Sequence, residues 1–323
     1  MLKKNKSINI GNAFNVLNLF VSVIGIITSF VSSKIAGAIL ISISVLSLII
    51  WITIGAVNFF KAKKAIEIFK NKYINNNMQV VADLHSIFHD IRDSSSIILK
   101  QNVTDVESLD RFFKEIEKNI CTKIEALFDQ LWNKSTCVCI KMISANDLYN
   151  DDYKTWKVYT YSRGNRVNNS IEQSGRAKND QEPVYIIDNS DFEIIVNGTV
   201  DYYVCENMKN IKTDFKISYT MEYNNSREKQ GVDISKYYNA TIVLPIRIQI
   251  DNRVLSNGNC KGFHLLGFLC IDTLDAFTVE EKNVFYLGAE YAKAISDTLY
   301  NQILCYFKAR MQISNKAVSS QNQ

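Results

Sequence analysis

Apolar and polar residues follow three different patterns along this chain. From Asn12 to Ser33 and from Ile35 to Phe60 there is no charged residue. About 20 helical residues at ~1.5 Å each cross a hydrocarbon core of ~30 Å, so the pattern predicts two spans joined as a tight hairpin at Ser32-Ser33-Lys34. In lipid, both must be helices to satisfy their own backbone groups. The second pattern is a 3.6-residue period. The second span is expected to continue as helix from Lys61 to Ile74 and to break at Asn75-Asn76-Asn77. Leu84, Ile87, Phe88 and Ile91 then mark one apolar helical face. Thr104 and Glu107 read as a capping box. A long amphipathic helix follows through Leu109, Phe112, Phe113, Ile116, Ile120, Ile124, Leu127, Phe128 and Leu131.

The third pattern is that of strands. "TCVCIKMI" (136–143), "TWKVYTYSR" (155–163), "YYNATIVLPIRIQI" (237–250) and "FHLLGFLCIDT" (263–273) are rich in β-branched and aromatic residues. The last two flank the polar stretch 251–262 and read as a hairpin. A final helix is expected from Thr278 to about Met311, with Phe285, Ala289, Ala292, Ile295, Leu299, Ile303 and Tyr306 on its buried stripe. Its length, ~51 Å for about 34 residues, exceeds what one small sheet covers. Leu299, Ile303, Tyr306 and Phe307 are therefore expected to meet the same helix of a second copy, or else the chain's own helix through Leu84, Phe88 and Ile91. The fold class is α+β: a transmembrane hairpin (1–64), juxtamembrane helices (65–104), a domain with an antiparallel sheet flanked by long helices (105–311) and a polar tail (312–323).

Charge changes this picture in one respect. Residues 1–64 hold seven lysines and no acid, against +4 for all 323 residues, which leaves −3 for the remainder. A mildly acidic soluble part has no electrostatic footprint for nucleic acid. Lysines at both ends of the hairpin place both termini and the soluble domain in the cytoplasm, anchored to the cell membrane, by the positive-inside rule. In that reducing compartment the seven cysteines are expected to be thiols, Cys137 and Cys139 sharing one strand face. No metal site is expected, because only three histidines exist and no cysteine pairs stand at zinc-finger spacing.

Candidate chemistry begins with "HSIFHDIRDSSS" (85–96), which resembles the phosphoacceptor helix of a sensor histidine kinase. Such a kinase needs glycine-rich loops that let backbone amides approach ATP phosphates. The chain has twelve glycines, with neither GxGxxG nor GK[ST]. His85 and His89, four apart, are expected to be polar helix residues beside an apolar seam. No Ser/His/Asp or Cys/His arrangement can be assembled, so no enzyme is expected.

The order helix, two strands, long insertion, two strands, long helix resembles a GAF domain. The resemblance rests on "ATIVLPIRI" (240–248), "LLGFLCIDTLDAFTVEE" (265–281) and the small residues Ala289, Ala292 and Ala294. It implies a binding module, with a small-molecule pocket between the sheet and the insertion 164–236, or a pocket lost in favour of dimerisation. The cyclic-nucleotide signature and the Cys-His dipeptide of bilin binding are absent, and the cofactor remains unassigned. Function concentrates in loops on a rigid scaffold. Ser162, Arg163 and Arg166 at a strand end suit an anion. Asn189 and Phe192, and then Tyr219, Tyr223 and Asn224, suit hydrogen bonding and stacking. The expected function is a membrane-anchored sensor that binds a small molecule or a partner protein. The alternative is a two-span membrane effector of bacterial antiphage defence, gated by ligand binding or oligomerisation.

Overall fold

The computed structural model describes residues 22–23, 34–100, 105–144, 147, 152–165, 182–234, 237–249 and 263–321. The first expected span therefore lies outside the described residues except for Ser22 and Val23. Arg166 also lies outside them, as does the connection between the last two strands. The chain divides into two compact units, Met1–Asn75 and Asn76–Gln323.

The first unit holds most of helix α1 (Lys34–Lys100). Its segment Ile41–Lys64 is the one described helix long and apolar enough to cross a membrane. Ile41, Leu46, Ile52, Phe59 and Phe60 stand exposed on it. α1 runs without interruption through Asn75–Asn77, where the sequence pattern predicts a break. Asparagine costs a helix only about 0.7 kcal/mol relative to alanine, and no proline or glycine reinforces the stop.

In the second unit, helix α2 (Val106–Trp132) starts one residue later than the expected box. Asp105 is the N-cap, its Oδ1 accepting the Ser108 N–H at 2.7 Å. Strands β1 (Thr136–Ile143) and β2 (Lys157–Arg163) follow. The insertion then contributes β3 (Val184–Tyr185), α3 (Ser190–Val196), β4 (Tyr203–Cys205), α4 (Ile211–Tyr219) and a single turn, α5 (Ser226–Lys229). Strands β5 (Ala240–Gln249) and β6 (Phe263–Thr273) lead to α6 (Lys282–Gln321), which runs beyond Met311 through most of the expected polar tail. Its lead-in is a 3-10 turn in which Glu281 Oε2 accepts the Thr278 N–H at 2.9 Å.

The sheet is six-stranded, in the order β3-β2-β1-β6-β5-β4, with all its pairings antiparallel. The insertion thus supplies both edge strands. β4 pairs only with Thr241–Val243. Among the described residues β5 has no strand neighbour beyond it on that side, which is where a strand tolerates Pro245.

Period-two alternation assigns each residue to a face. Val138, Ile140 and Met142 of β1, with Ile242, Leu244 and Ile246 of β5, meet a core built from α1, α2 and α6. The far half of α6 belongs to this core. Leu299 and Ile303 are fully buried and Tyr306 is 4% exposed, with Phe307 half-buried. Tyr306 stacks on Phe113 at 4.1 Å and donates its hydroxyl to Asp110 at 2.6 Å, while Gln302 Nε2 donates to Ser94 Oγ at 2.6 Å. The stripe expected to await a second copy is covered within one chain. α1 and α2 lie over it, and burying it there brings apolar surface out of water without the entropy cost of association.

Candidate functional site

The other face of the sheet carries Cys139, Ile143, Val243, Leu265, Phe268 and Cys270, covered by the insertion through Ile186, Phe192, Ile195 and Phe215. Toward β2 this cover leaves a cleft of about 70 Å³. A benzene-sized apolar cavity is roughly 150 Å³, so the cleft takes a compact polar group and not a whole drug-sized ligand. Its floor is Cys139 and Lys141 of β1, Arg163 of β2, Thr241 of β5, and Cys270 and Asp272 of β6; the insertion closes it with Asn189, Asp191, Phe192 and Arg227.

A bulge decides which residues of β2 reach it. Ile140 pairs with Ser162, whereas Lys141 pairs with Thr160, so Tyr161 is an extra residue in the ladder. The bulge turns Ser162 to the helix face, its Oγ 3.5 Å from the Lys114 carbonyl, and turns Arg163 into the cleft. A second slip occurs where Ile246 pairs with Gly267 and Arg247 with Leu265. A Cβ on Gly267 would stand 2.1 Å from the Lys141 carbonyl oxygen, so only glycine fits there.

The expected site residues separate accordingly. Arg163, Asn189 and Phe192 come together around the cleft, and Ser162 does not. Asn189 spends its polar atoms on the wall itself: Oδ1 accepts from the Ser226 N–H at 3.2 Å and hydroxyl at 3.0 Å, and Nδ2 donates to the Tyr185 carbonyl at 3.2 Å. Phe192 rests on Phe268 with ring centres 4.6 Å apart. Tyr219 and Tyr223 pack on Phe215, at 4.6 and 5.4 Å, and stand outside the cleft lining. Asn224 accepts the Ser190 N–H on its carbonyl at 3.0 Å and donates its own N–H to Ser190 Oγ at 2.7 Å.

Sequence reasoning did not select Lys141, Asp191, Arg227, Cys270 or Asp272 for the site. For Lys141 a signal existed: it shares the Cys137/Cys139 face of an otherwise apolar strand. Asp272 stands one residue before the end of β6, and in the fold its Oδ1 accepts the Thr241 hydroxyl at 2.7 Å inside the cleft.

Three cations, Lys141, Arg163 and Arg227, face three carboxylates, Glu182, Asp191 and Asp272. Burial pushes the Asp191 carboxyl up to about 6; the Phe192 N–H on Oδ1, at 3.0 Å, opposes the rise and the Asp272 charge adds to it. The Lys141 ammonium is held by Thr160 Oγ1 at 2.9 Å. Among the described residues no group of three His, Cys, Asp or Glu is placed to hold a metal ion. His85 and His89 stand apart from the cleft on α1, their Nε2 atoms 2.8 Å from each other, with Arg92 2.6 Å from His89 Nδ1.

No family model matches the chain, and no curated protein matches it. Similar solved structures include the GAF domain of an Acinetobacter phosphoenolpyruvate-protein phosphotransferase, 10% identical over 68% of this chain and 93% of that one, with a TM-score of 0.32. A structure described as that of the GAF domain is 12% identical over 68% and 88%, with a TM-score of 0.35. A type II free methionine-R-sulfoxide reductase from Thermoplasma acidophilum is 11% identical over 59% and 95%, with a TM-score of 0.30.

Proposed function

We propose that this chain is a membrane-anchored sensor with a GAF-like domain that binds a small molecule through a compact anionic group. The observation that carries the reading is the convergence of Arg163 and Lys141, from neighbouring strands, with Arg227 from the insertion on one cleft of about 70 Å³. A guanidinium fork recognises carboxylate or phosphate with two parallel donors, and a partly desolvated site strengthens each bond. Asp191 and Asp272 add acceptors for a donor group on the same ligand. The walls come from the insertion, so an occupied cleft would hold α3 and α5 against the sheet and favour one arrangement of the domain.

The test is to purify the full chain in detergent, denature it and identify released small molecules by mass spectrometry, with Arg163→Gln alongside. We expect a carboxylate or phosphate compound in the wild type and its loss in the variant. If nothing is released, and no melting shift appears with a panel of small carboxylates and phosphates, the reading fails. Anchoring is tested separately. Ser33→Cys should label from outside intact cells and Ser319→Cys should not; equal labelling of both defeats the cytoplasmic orientation.

A further inference from the structure

Cys139 and Cys270 stand directly opposite one another on the antiparallel strands β1 and β6, and both line the cleft floor. Directly opposed residues of such a pair have Cα atoms roughly 4.5–5.5 Å apart, inside the roughly 4.4–6.8 Å that a disulfide spans. The pairing therefore meets the Cα spacing that a disulfide requires. On its other side Cys139 pairs with Arg163, and Lys141 is the next residue of β1 on the same face. We propose that Cys139 and Cys270 form a redox-active dithiol that reduces a small hydroperoxide entering the cleft and is thereby converted to an intrachain disulfide.

The chemistry follows from the surroundings. The hydrogen bond with Cys270, followed by the Arg163 and Lys141 charges, holds the Cys139 thiol below its usual value against the effect of burial and of Asp272. The same bond and burial hold Cys270 up as the protonated partner. A thiolate beside fixed cations is the reactive form. Cys139 sulfur attacks the terminal peroxide oxygen; the S–O bond forms, the O–O bond breaks, and the departing alkoxide or hydroxide takes up the proton that Cys139 gave up. Cys270 sulfur then attacks Cys139 sulfur; the S–S bond forms, and the S–O bond breaks with loss of water, which carries the Cys270 proton. Two thiols and one hydroperoxide become one disulfide, one water and one alcohol, or a second water when the oxidant is hydrogen peroxide. The thiols are oxidised by two electrons and the peroxide is reduced by two.

The cleft also selects the oxidant. Both sulfurs belong to residues no more than 4% exposed, and about 70 Å³ admits a peroxide and excludes a bulky disulfide. Cys121 makes the contrast: it is fully buried on the helix face, its thiol pushed up by burial. Disulfides in a reducing compartment are usually catalytic or sensing, and this one would staple the two central strands beneath the sensor cleft.

The test uses the full chain in detergent, reduced and then treated with a few equivalents of hydrogen peroxide. Alkylation and peptide mapping should show one reversible disulfide joining the Cys139 and Cys270 peptides, restored to thiols by dithiothreitol. In Cys270→Ser, Cys139 should be trapped as a sulfenic acid, read as one added oxygen by intact mass and by reaction with dimedone added in denaturant, and Arg163→Gln should slow disulfide formation several-fold. Melting curves of both variants check that they fold. The wild-type map decides by itself: both peptides still alkylatable after excess peroxide, or a disulfide joining a different pair, overturns the proposal. The readout is independent of any ligand released from the cleft, so the two proposals fail separately.

Discussion

Strand β1 presents Val138, Ile140 and Met142 to one side and Cys139 and Lys141 to the other, and the two sides of the sheet diverge from there. The helix side is a continuous apolar core, with Phe113, Phe128 and Phe285 fully buried among α1, α2 and α6. Two buried groups break its apolar character: among the described residues neither carboxylate oxygen of Glu117, fully buried on α2, has a hydrogen-bond partner, nor has Gln302 Oε1 on α6. The insertion side is covered by short elements and keeps charge within reach of solvent. A carboxyl that lacks partners inside a core stays neutral; one beside cations and an open cleft can serve recognition.

The sharpest way to break the comparison is to truncate one aromatic on each side. Phe113→Ala should cost about 3–5 kcal/mol, because a stacked ring in a closed core leaves a cavity that cannot collapse. Phe192→Ala should cost distinctly less, since the cleft beside it lets the insertion relax. Urea denaturation of the two variants measures both, and equal losses would mean that the two sides are packed alike.

The next effect is a gain. Burial pushes the Glu117 carboxyl from 4.5 up to about 8. The folded state therefore holds a proton that the unfolded state releases, so stability is full below about pH 4.5 and falls as pH rises toward 8. Each pH unit in that window costs at most about 1.4 kcal/mol. Glu117→Met should be more stable than the wild type at pH 8 and should flatten this part of the melting-temperature profile. An unchanged profile would show that Glu117 has a partner in solution.

On the insertion side, Asp191→Asn should behave in the same direction but over a lower window, from 3.8 to about 6. Its gain at neutral pH should be smaller than that of Glu117→Met, and the variant should weaken retention of the ligand if the carboxylate contributes to recognition. Thermal melting at pH 4 and pH 7 gives the first quantity, and mass spectrometry of released compounds the second. The smallest expected effect is Ser296→Ala. The Ser296 hydroxyl donates to the Pro245 carbonyl at 2.9 Å and ties α6 to β5. Its loss should cost about 1 kcal/mol, read by the same denaturation, and leave the cleft chemistry untouched.

The sequence by itself determined the elements whose burial is periodic. The stripe of α2 and the alternation in β1, β5 and β6 are local consequences of chain geometry, and the structure places them within a residue or three of their expected bounds. The charge-free stretch that ends at Phe60 likewise required only composition, and from Ile41 it lies within Ile41–Lys64, the described helical segment long and apolar enough to cross a membrane. What tertiary structure decided depends on neighbours that are distant in sequence. The bulge at Tyr161 exchanges Ser162 for Arg163 in the cleft, because one extra residue in a ladder reverses every later side chain. The insertion reads as loop, yet its short strands become the two sheet edges because β2 and β5 offer unpaired backbone groups there. The apolar stripe of Leu299 and Ile303 specifies only that something must cover it; the packing of α1 and α2 onto α6 determines that the cover comes from the same chain. The pairing of Cys139 with Cys270 depends on which strands become neighbours and in which register, and neither is written in the spacing of the two residues along the chain.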